Sequence, residues 1–247
     1  MAQSRTAVGF GETTRRDAWW LELIPVVLVL GAFSIYATWR TFENAYYEFG
    51  PYLSPFYSPL IKPRWWPLSP AILILWAPLG FRATCYYYRK AYYRAFFLDP
   101  PACAVGESHP HRYSGETRFP FILQNLHRYF LYVALIFLVI LWYDAISAFW
   151  FEGHLGVGVG SLVLLANIVL LSFYTLSCHS LRHVVGGKLD CFSCVALGGP
   201  RHAAWRGVSF LNEHHMLFAW LSLFSVGLAD LYIRLVASGS IHDLRLV

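Results

Sequence analysis

Five long apolar stretches, separated by polar or aromatic-rich connections, organise the sequence. A helix needs roughly 20 mostly apolar residues to cross the hydrocarbon core of a bilayer. The first stretch that qualifies is 20–39, where Pro25 falls close enough to the helix start to be tolerated. The second opens at Ser69-Pro70, with proline in the favoured first helical position. It reads as one continuous helix over 69–97 whose later part lies along the interface. The remaining spans are 121–143, 155–183 and 214–235. The pattern predicts an all-α integral membrane protein, a bundle of five transmembrane helices over residues 20–237. A polar segment, 1–19, precedes it and a short tail, 238–247, follows. The polar run from Met1 to Asp17 does not read as a signal peptide, and no internal repeat stands out.

Composition agrees with the pattern. Hydrophobic residues make up 57% of the chain and charged residues 13%, against about 25% charged in a soluble domain. Aromatic residues reach 18%, and Trp and Tyr favour membrane interfaces. A soluble enzyme, a disordered chain and a disulfide-stapled secreted domain are all excluded. The formal charge of +5 does not indicate nucleic acid, because the basic residues punctuate apolar runs and form no patch.

Their distribution predicts orientation. With the N-terminus inside, the inner segments hold fourteen Lys and Arg: Arg5, Arg15, Arg16, Arg82, Arg89, Lys90, Arg94, Arg112, Arg118, Arg128, Arg182, Lys188, Arg201 and Arg206. The outer segments hold five: Arg40, Lys62, Arg64, Arg234 and Arg245. The N-terminus is therefore expected in the cytoplasm and the C-terminus outside a cell membrane. Loop 41–68, rich in Tyr, Trp and Pro, reads as an ordered outer cap. Loops 98–120 and 184–212 are basic and suit a cytoplasmic partner.

None of the five cysteines lies in an outer segment. At 1.5 Å of rise per residue, Cys85 and Cys178 lie about 25 and 30 Å from the outer ends of their spans, and His127 and His215 about 33 Å. One layer at the inner boundary thus collects two thiols and two imidazoles. Polar groups at such depth usually face the bundle interior, so convergence on a metal is a serious expectation. The donor set suits tetrahedral Zn or a Rieske-type [2Fe–2S] centre, although the soluble Rieske pattern C-x-H with C-x-x-H is absent. His179 and His183 stand in reserve as ligands.

Haem b, with His127 facing His183 or His215, is the next reading, and the histidine boxes of membrane desaturases are missing. A bland reading has the cysteines as small core residues and the histidines as helix-end caps. Cys191-x-x-Cys194 reads as a redox dithiol, half of a Zn clip, or a loop feature without chemistry. Five cysteines are an odd number, so complete internal pairing is excluded. Arg82, inside a span, is suited to an acidic headgroup, a haem propionate or a quinone oxygen, or simply snorkels to the interface. Asp230 and Arg234 are one helical turn apart and read as a structural ion pair.

The segments RATCYYYRKAYYRAFFLDPPACAV, LQNLHRYF, SCHSLRHVVGGKLDCFSC and HHMLFAWLSLFSVGLADLYIRL resemble the single-chain membrane anchor of succinate dehydrogenase and fumarate reductase, over most of residues 15–247. The resemblance implies a subunit that takes electrons from an iron–sulfur subunit, fed by a flavoprotein subunit that oxidises succinate, and delivers them to a membrane quinone. It implies no succinate site in this chain. The family's five-span members carry haem b on histidines of spans one, two, four and five. Here span one has no His, Cys85 stands nearest the expected span-two His, and His215 or His214 matches the span-five ligand. That departure favours a thiolate-containing centre, a Rieske-like [2Fe–2S] on Cys85, His127, Cys178 and His215. Trp20, Arg82, Tyr88, Arg128 and Arg182 are the expected quinone contacts, since quinone sites combine an apolar groove with a few hydrogen-bond donors.

Overall fold

A computed structural model describes residues 9–97, 105–106, 116–119, 121–187 and 189–246. Arg5, Cys103, Arg112 and Lys188 of the sequence reading lie outside the described residues. The elements are helices α1 (Leu23–Glu43), α2 (Pro70–Ala83), α3 (Tyr86–Phe96), α4 (His127–Ser147), α5 (Val159–Leu176), α6 (His179–Val185), α7 (Gly198–Asn212) and α8 (His215–Ala237). Two small hairpins accompany them, β1 (Glu48–Phe49) with β2 (Tyr52–Leu53) and β3 (Trp150–Phe151) with β4 (His154–Leu155). Among the described residues, four helical segments are long and apolar enough to cross a membrane: 19–43, 121–147, 159–176 and 215–237. The fifth apolar helix, α2, is 14 residues long.

Two expected helices are broken. The stretch 69–97 divides at Thr84-Cys85 into α2 and α3, and 155–183 divides at Ser177-Cys178 into α5 and α6. Neither break carries Pro or Gly, so neither announces itself in the sequence. In each, a cysteine adopts an extended backbone and caps the helix that follows.

The chain forms two compact units: Met1–Thr38 with Arg82–Leu126, and Trp39–Phe81 with His127–Val247. In the first, Thr13 bridges Val105, and Arg89 pairs with Glu116 at 3.0 Å while lying over the rings of Tyr86 and Phe121. Helix α1 buries no residue; Leu28 is 64% and Ile35 73% exposed, the surface of a helix suited to hydrocarbon on all sides.

In the second unit α5 is central, packed on α4 and α8. Leu138, Ala145 and Ala148 meet Leu164 and Ile168 of α5 and Ala229 and Ile233 of α8. Small residues let helix backbones approach where the hydrophobic effect supplies little drive.

Loop 41–68 is the ordered cap that its composition predicts, with Tyr52, Ser54, Phe56, Tyr57 and Ser58 all buried. Polar bonds fasten it to the helices. Arg234 gives Nε to Asp230 at 2.8 Å and one Nη to Glu43 at 2.9 Å, and Ser54 donates to the other oxygen of Asp230. Asp243 accepts from Tyr52 at 2.7 Å, from Tyr232 at 2.6 Å and from the Gly160 amide at 3.0 Å. Ser58 donates to Asp144. These carboxylates and hydroxyls of the cap are thus paired, as burial demands.

Candidate functional site

At the opposite ends of α4, α5 and α8 the chemistry changes from carboxylates to thiol and imidazole. His127 is the first residue of α4 and Cys178 caps α6. The break after α5 brings them together, with His127 Nε2 3.1 Å from Cys178 Sγ. Phe81 of α2 lies flat on the His127 ring, centroids 4.8 Å apart and planes 5° from parallel. Tyr174 meets Phe81 edge-on at 5.4 Å and stacks on His215 at 5.1 Å. The two imidazoles therefore terminate a ladder of two aromatic rings.

His215 is 2% exposed and opens α8. Its Nδ1 lies 2.6 Å from Ser177 Oγ, and the Ser177 carbonyl accepts from Asn212 Nδ2 at 2.7 Å. Ser177 therefore orients the imidazole, as neighbours of metal-binding histidines do. Nearby, His179 and His183 face each other with Nε2 atoms 3.1 Å apart. Burial, assisted by His183 and Arg182, holds His179 below the ordinary imidazole value.

In the first unit Cys85 is 2% exposed and caps α3. Arg82 gives Nη1 to the Tyr88 hydroxyl at 2.7 Å, and Tyr88 is itself buried. Trp20 is half exposed. Arg128 is partly buried in the first turn of α4. Arg182 gives Nε to Ser209 at 2.8 Å and lies over Trp205.

The two cysteine breaks are local copies of one another. The backbone angles are φ −67°, ψ 129° at Cys85 and φ −64°, ψ 135° at Cys178. Each cysteine amide donates to the carbonyl three residues back, Arg82 or Thr175. Each cysteine carbonyl accepts from the arginine four residues on, Arg89 or Arg182. Thr84-Cys85-x-x-x-Arg89 and Ser177-Cys178-x-x-x-Arg182 are thus one repeated motif, a repeat that the sequence reading did not register.

The sequence reading expects Cys85, His127, Cys178 and His215 to converge. Among the described residues, no group of three or more His, Cys, Asp or Glu side chains is placed to hold a metal ion; the structure brings His127 and Cys178 together as a pair. Residue counting gives depth along a helix and not sideways position, so it does not say which of the four side chains meet. In chemistry the four donors fit an iron–sulfur centre, being two thiols and two imidazoles. Cys191 and Cys194 are joined by a disulfide and so are not free donors. Sequence reasoning also missed Phe81, Tyr174 and Ser177, which contact the imidazoles, and Asn212, which holds Ser177. Only Ser177 had a signal, the hydroxyl residue preceding each buried cysteine.

The family model of the actinobacterial succinate dehydrogenase subunit SdhC matches residues 21–239. Among solved structures, a chain of the Mycobacterium smegmatis Sdh1 complex in the apo form is similar, with 45% identity and a TM-score of 0.88. The similarity covers 100% of this chain and 98% of that one. No curated protein matches the sequence.

Proposed function

Because this chain belongs to the family of the actinobacterial succinate dehydrogenase subunit SdhC, we propose that it is the five-span anchor through which a succinate:quinone oxidoreductase reduces membrane quinone. It is a membrane subunit that assembles with the other subunits of the succinate dehydrogenase complex. Electrons pass from the flavoprotein subunit to the iron–sulfur subunit and then to this chain. Here Cys85, Cys178, His127 and His215 would hold a Rieske-like [2Fe–2S] centre between that subunit and the quinone.

The observation that carries this reading is the approach of His127 Nε2 to Cys178 Sγ, 3.1 Å, where a thiol and an imidazole meet at two helix starts. When bound, the cluster would supply one-electron transfer at a potential set by its His ligation. The chain's own residues do the remainder. Ser177 holds His215 by Nδ1. Phe81 and Tyr174 pack the imidazoles among apolar rings and exclude water. The Arg82–Tyr88 pair offers the quinone a charged donor and a hydroxyl beside buried aromatic surface, with Trp20 and Arg128 as further contacts. Haem b between His127 and His215 is disfavoured, since Phe81 and Tyr174 stack in series between those rings.

The test is low-temperature EPR of the dithionite-reduced complex, with iron and acid-labile sulfide analysis. A signal of low average g, as mixed Cys/His ligation gives, is expected and should disappear in Cys85→Ala and Cys178→Ala. A reduced-haem α band without that signal would return the chain to the cytochrome b anchors. Absence of both, with quinone reduction intact in a His127→Ala/His215→Ala complex, would leave it a scaffold without a redox group.

A further inference from the structure

Next to the thiol end, α6 and α7 enclose a cavity of about 280 Å³ lined by Arg182, His183, Gly186, Gly187, Phe192 and Trp205. That is just under the usual small-ligand range of about 300–1,000 Å³. Its walls are closely fitted. A Cβ at Gly186 would stand 2.8 Å from the Phe192 ring and 3.1 Å from Trp205 Cβ, so only glycine lets α6 end against these rings.

Arg182 is held in one orientation before any ligand arrives. Its Nε is bonded to Ser209 Oγ at 2.8 Å, and that hydroxyl is fixed in turn by the Trp205 carbonyl at 2.7 Å. The guanidinium lies 4.9 Å over the Trp205 ring. Ser209 thus takes the Nε and Trp205 the face, which leaves the two Nη groups as the donors Arg182 presents to the cavity. Arg201 brings a second guanidinium to the same corner by bonding the Val185 carbonyl at 3.1 Å.

The surroundings identify the ligand. Only Glu213 and His214 separate α7 from the membrane-crossing helix α8, so α7 sits at the membrane boundary. The neighbouring groove on α7 is lined by Trp205, Arg206 and Phe210, with Glu213 at its end beside α8. Phe210 is 66% and Leu197 74% exposed. Basic and aromatic side chains beside exposed apolar ones are the signature of a helix lying at headgroup depth, and basic residues there attract acidic lipids. A guanidinium with one edge to offer binds phosphate oxygens in pairs.

We propose that the α6–α7 cavity binds the phosphate of an acidic phospholipid, with Arg182 as its principal donor and the acyl chains running over Leu197 and Phe210. The geometry gives Arg182, expected from the sequence at the quinone, a different ligand.

The test uses the detergent-purified succinate dehydrogenase complex, stripped of lipid and followed by thermal unfolding. It is titrated separately with phosphatidylglycerol, phosphatidylcholine and inorganic phosphate. Phosphatidylglycerol should raise the unfolding temperature while the other two leave it in place. An Arg182→Gln complex should need about fivefold more phosphatidylglycerol for the same rise, the effect of one interfacial cation. Arg182→Lys, which keeps the charge and loses the paired donors, should fall between the two and serves if the Gln variant does not assemble. Equal protection by phosphatidylcholine, or variant titrations that coincide with the parent, would overturn the proposal. Protection by inorganic phosphate alone would replace the lipid by a small anion. A raised KM for quinone in the variants with an unchanged lipid titration would hand the cavity to the quinone.

Discussion

Arg234 and Asp230, one turn apart on α8, form an ion pair at 2.8 Å in which Arg234 is 3% exposed and Asp230 not at all. Glu43, bonded to the same guanidinium, is 23% exposed, so Asp230 is the partner that neutralises Arg234 inside the fold. Breaking a buried pair from one side costs about 3–5 kcal/mol. Asp230→Ala should therefore lower the unfolding temperature of the purified complex sharply. Glu43→Gln should cost much less, because Asp230 remains beside Arg234. Equal losses in the two variants would show that the cap is fastened through Glu43.

Tyr52 gives the cap a distinct alkaline signature. Burial, with the Asp243 carboxylate beside it, pushes the phenol up to about 12 from the ordinary 10. The fold thus keeps a proton that the unfolded chain releases near pH 10. This stability is complete below pH 10 and is lost as the pH rises through about 12. Unfolding temperatures of the parent should fall over that interval, and Tyr52→Phe should fall less steeply. At pH 7 the same variant should be less stable by roughly 1.5–3 kcal/mol, through loss of the bond to a carboxylate.

Gly80 of α2 permits contact with α4. A Cβ there would run into the Phe130 ring. Gly80→Ala should destabilise by about 1–3 kcal/mol through overpacking, and adding Phe130→Ala should recover part of it. Thermal unfolding of the single and double variants measures the coupling. Simple additivity of the two losses would refute a steric origin.

Ser177 acts on the redox layer through His215, whose Nδ1 it holds at 2.6 Å. On the cluster reading, Ser177→Ala should weaken cluster retention by 10- to 100-fold, as loss of an orienting partner does. It should also move the potential and g values of the cluster that remains. Ser177→Thr, which keeps the hydroxyl, should restore both. Unchanged potential and g values in the Ala variant would make Ser177 a packing residue only.

Much of this architecture is legible in the sequence, and what is not has physical causes. The apolar runs locate the four membrane-length helices among the described residues, because a bilayer demands length. Helix α7, fifteen residues within the stretch 184–212 read as a loop, has no apolar run to announce it. Asp230 and Arg234 can be paired from their spacing alone. Glu43, 191 residues before Arg234, cannot be added, since no local rule relates them. The breaks at Cys85 and Cys178 escape because Thr-Cys and Ser-Cys carry no helix-breaking residue; only comparing the two sites reveals the motif. Depth counting placed His127 and Cys178 in one layer, and the structure joins them at 3.1 Å. The same arithmetic holds no information on which aromatic rings stand between His127 and His215.

The cap over residues 41–68 is held by Asp230, Asp243, Asp144, Glu43, Arg234 and the hydroxyls they meet, and no cysteine lies within it. Its cohesion is therefore independent of thiol oxidation state. Reducing agents that open the Cys191–Cys194 bond leave this lock untouched. Electrons can thus alter one end of the helices while the other keeps its shape.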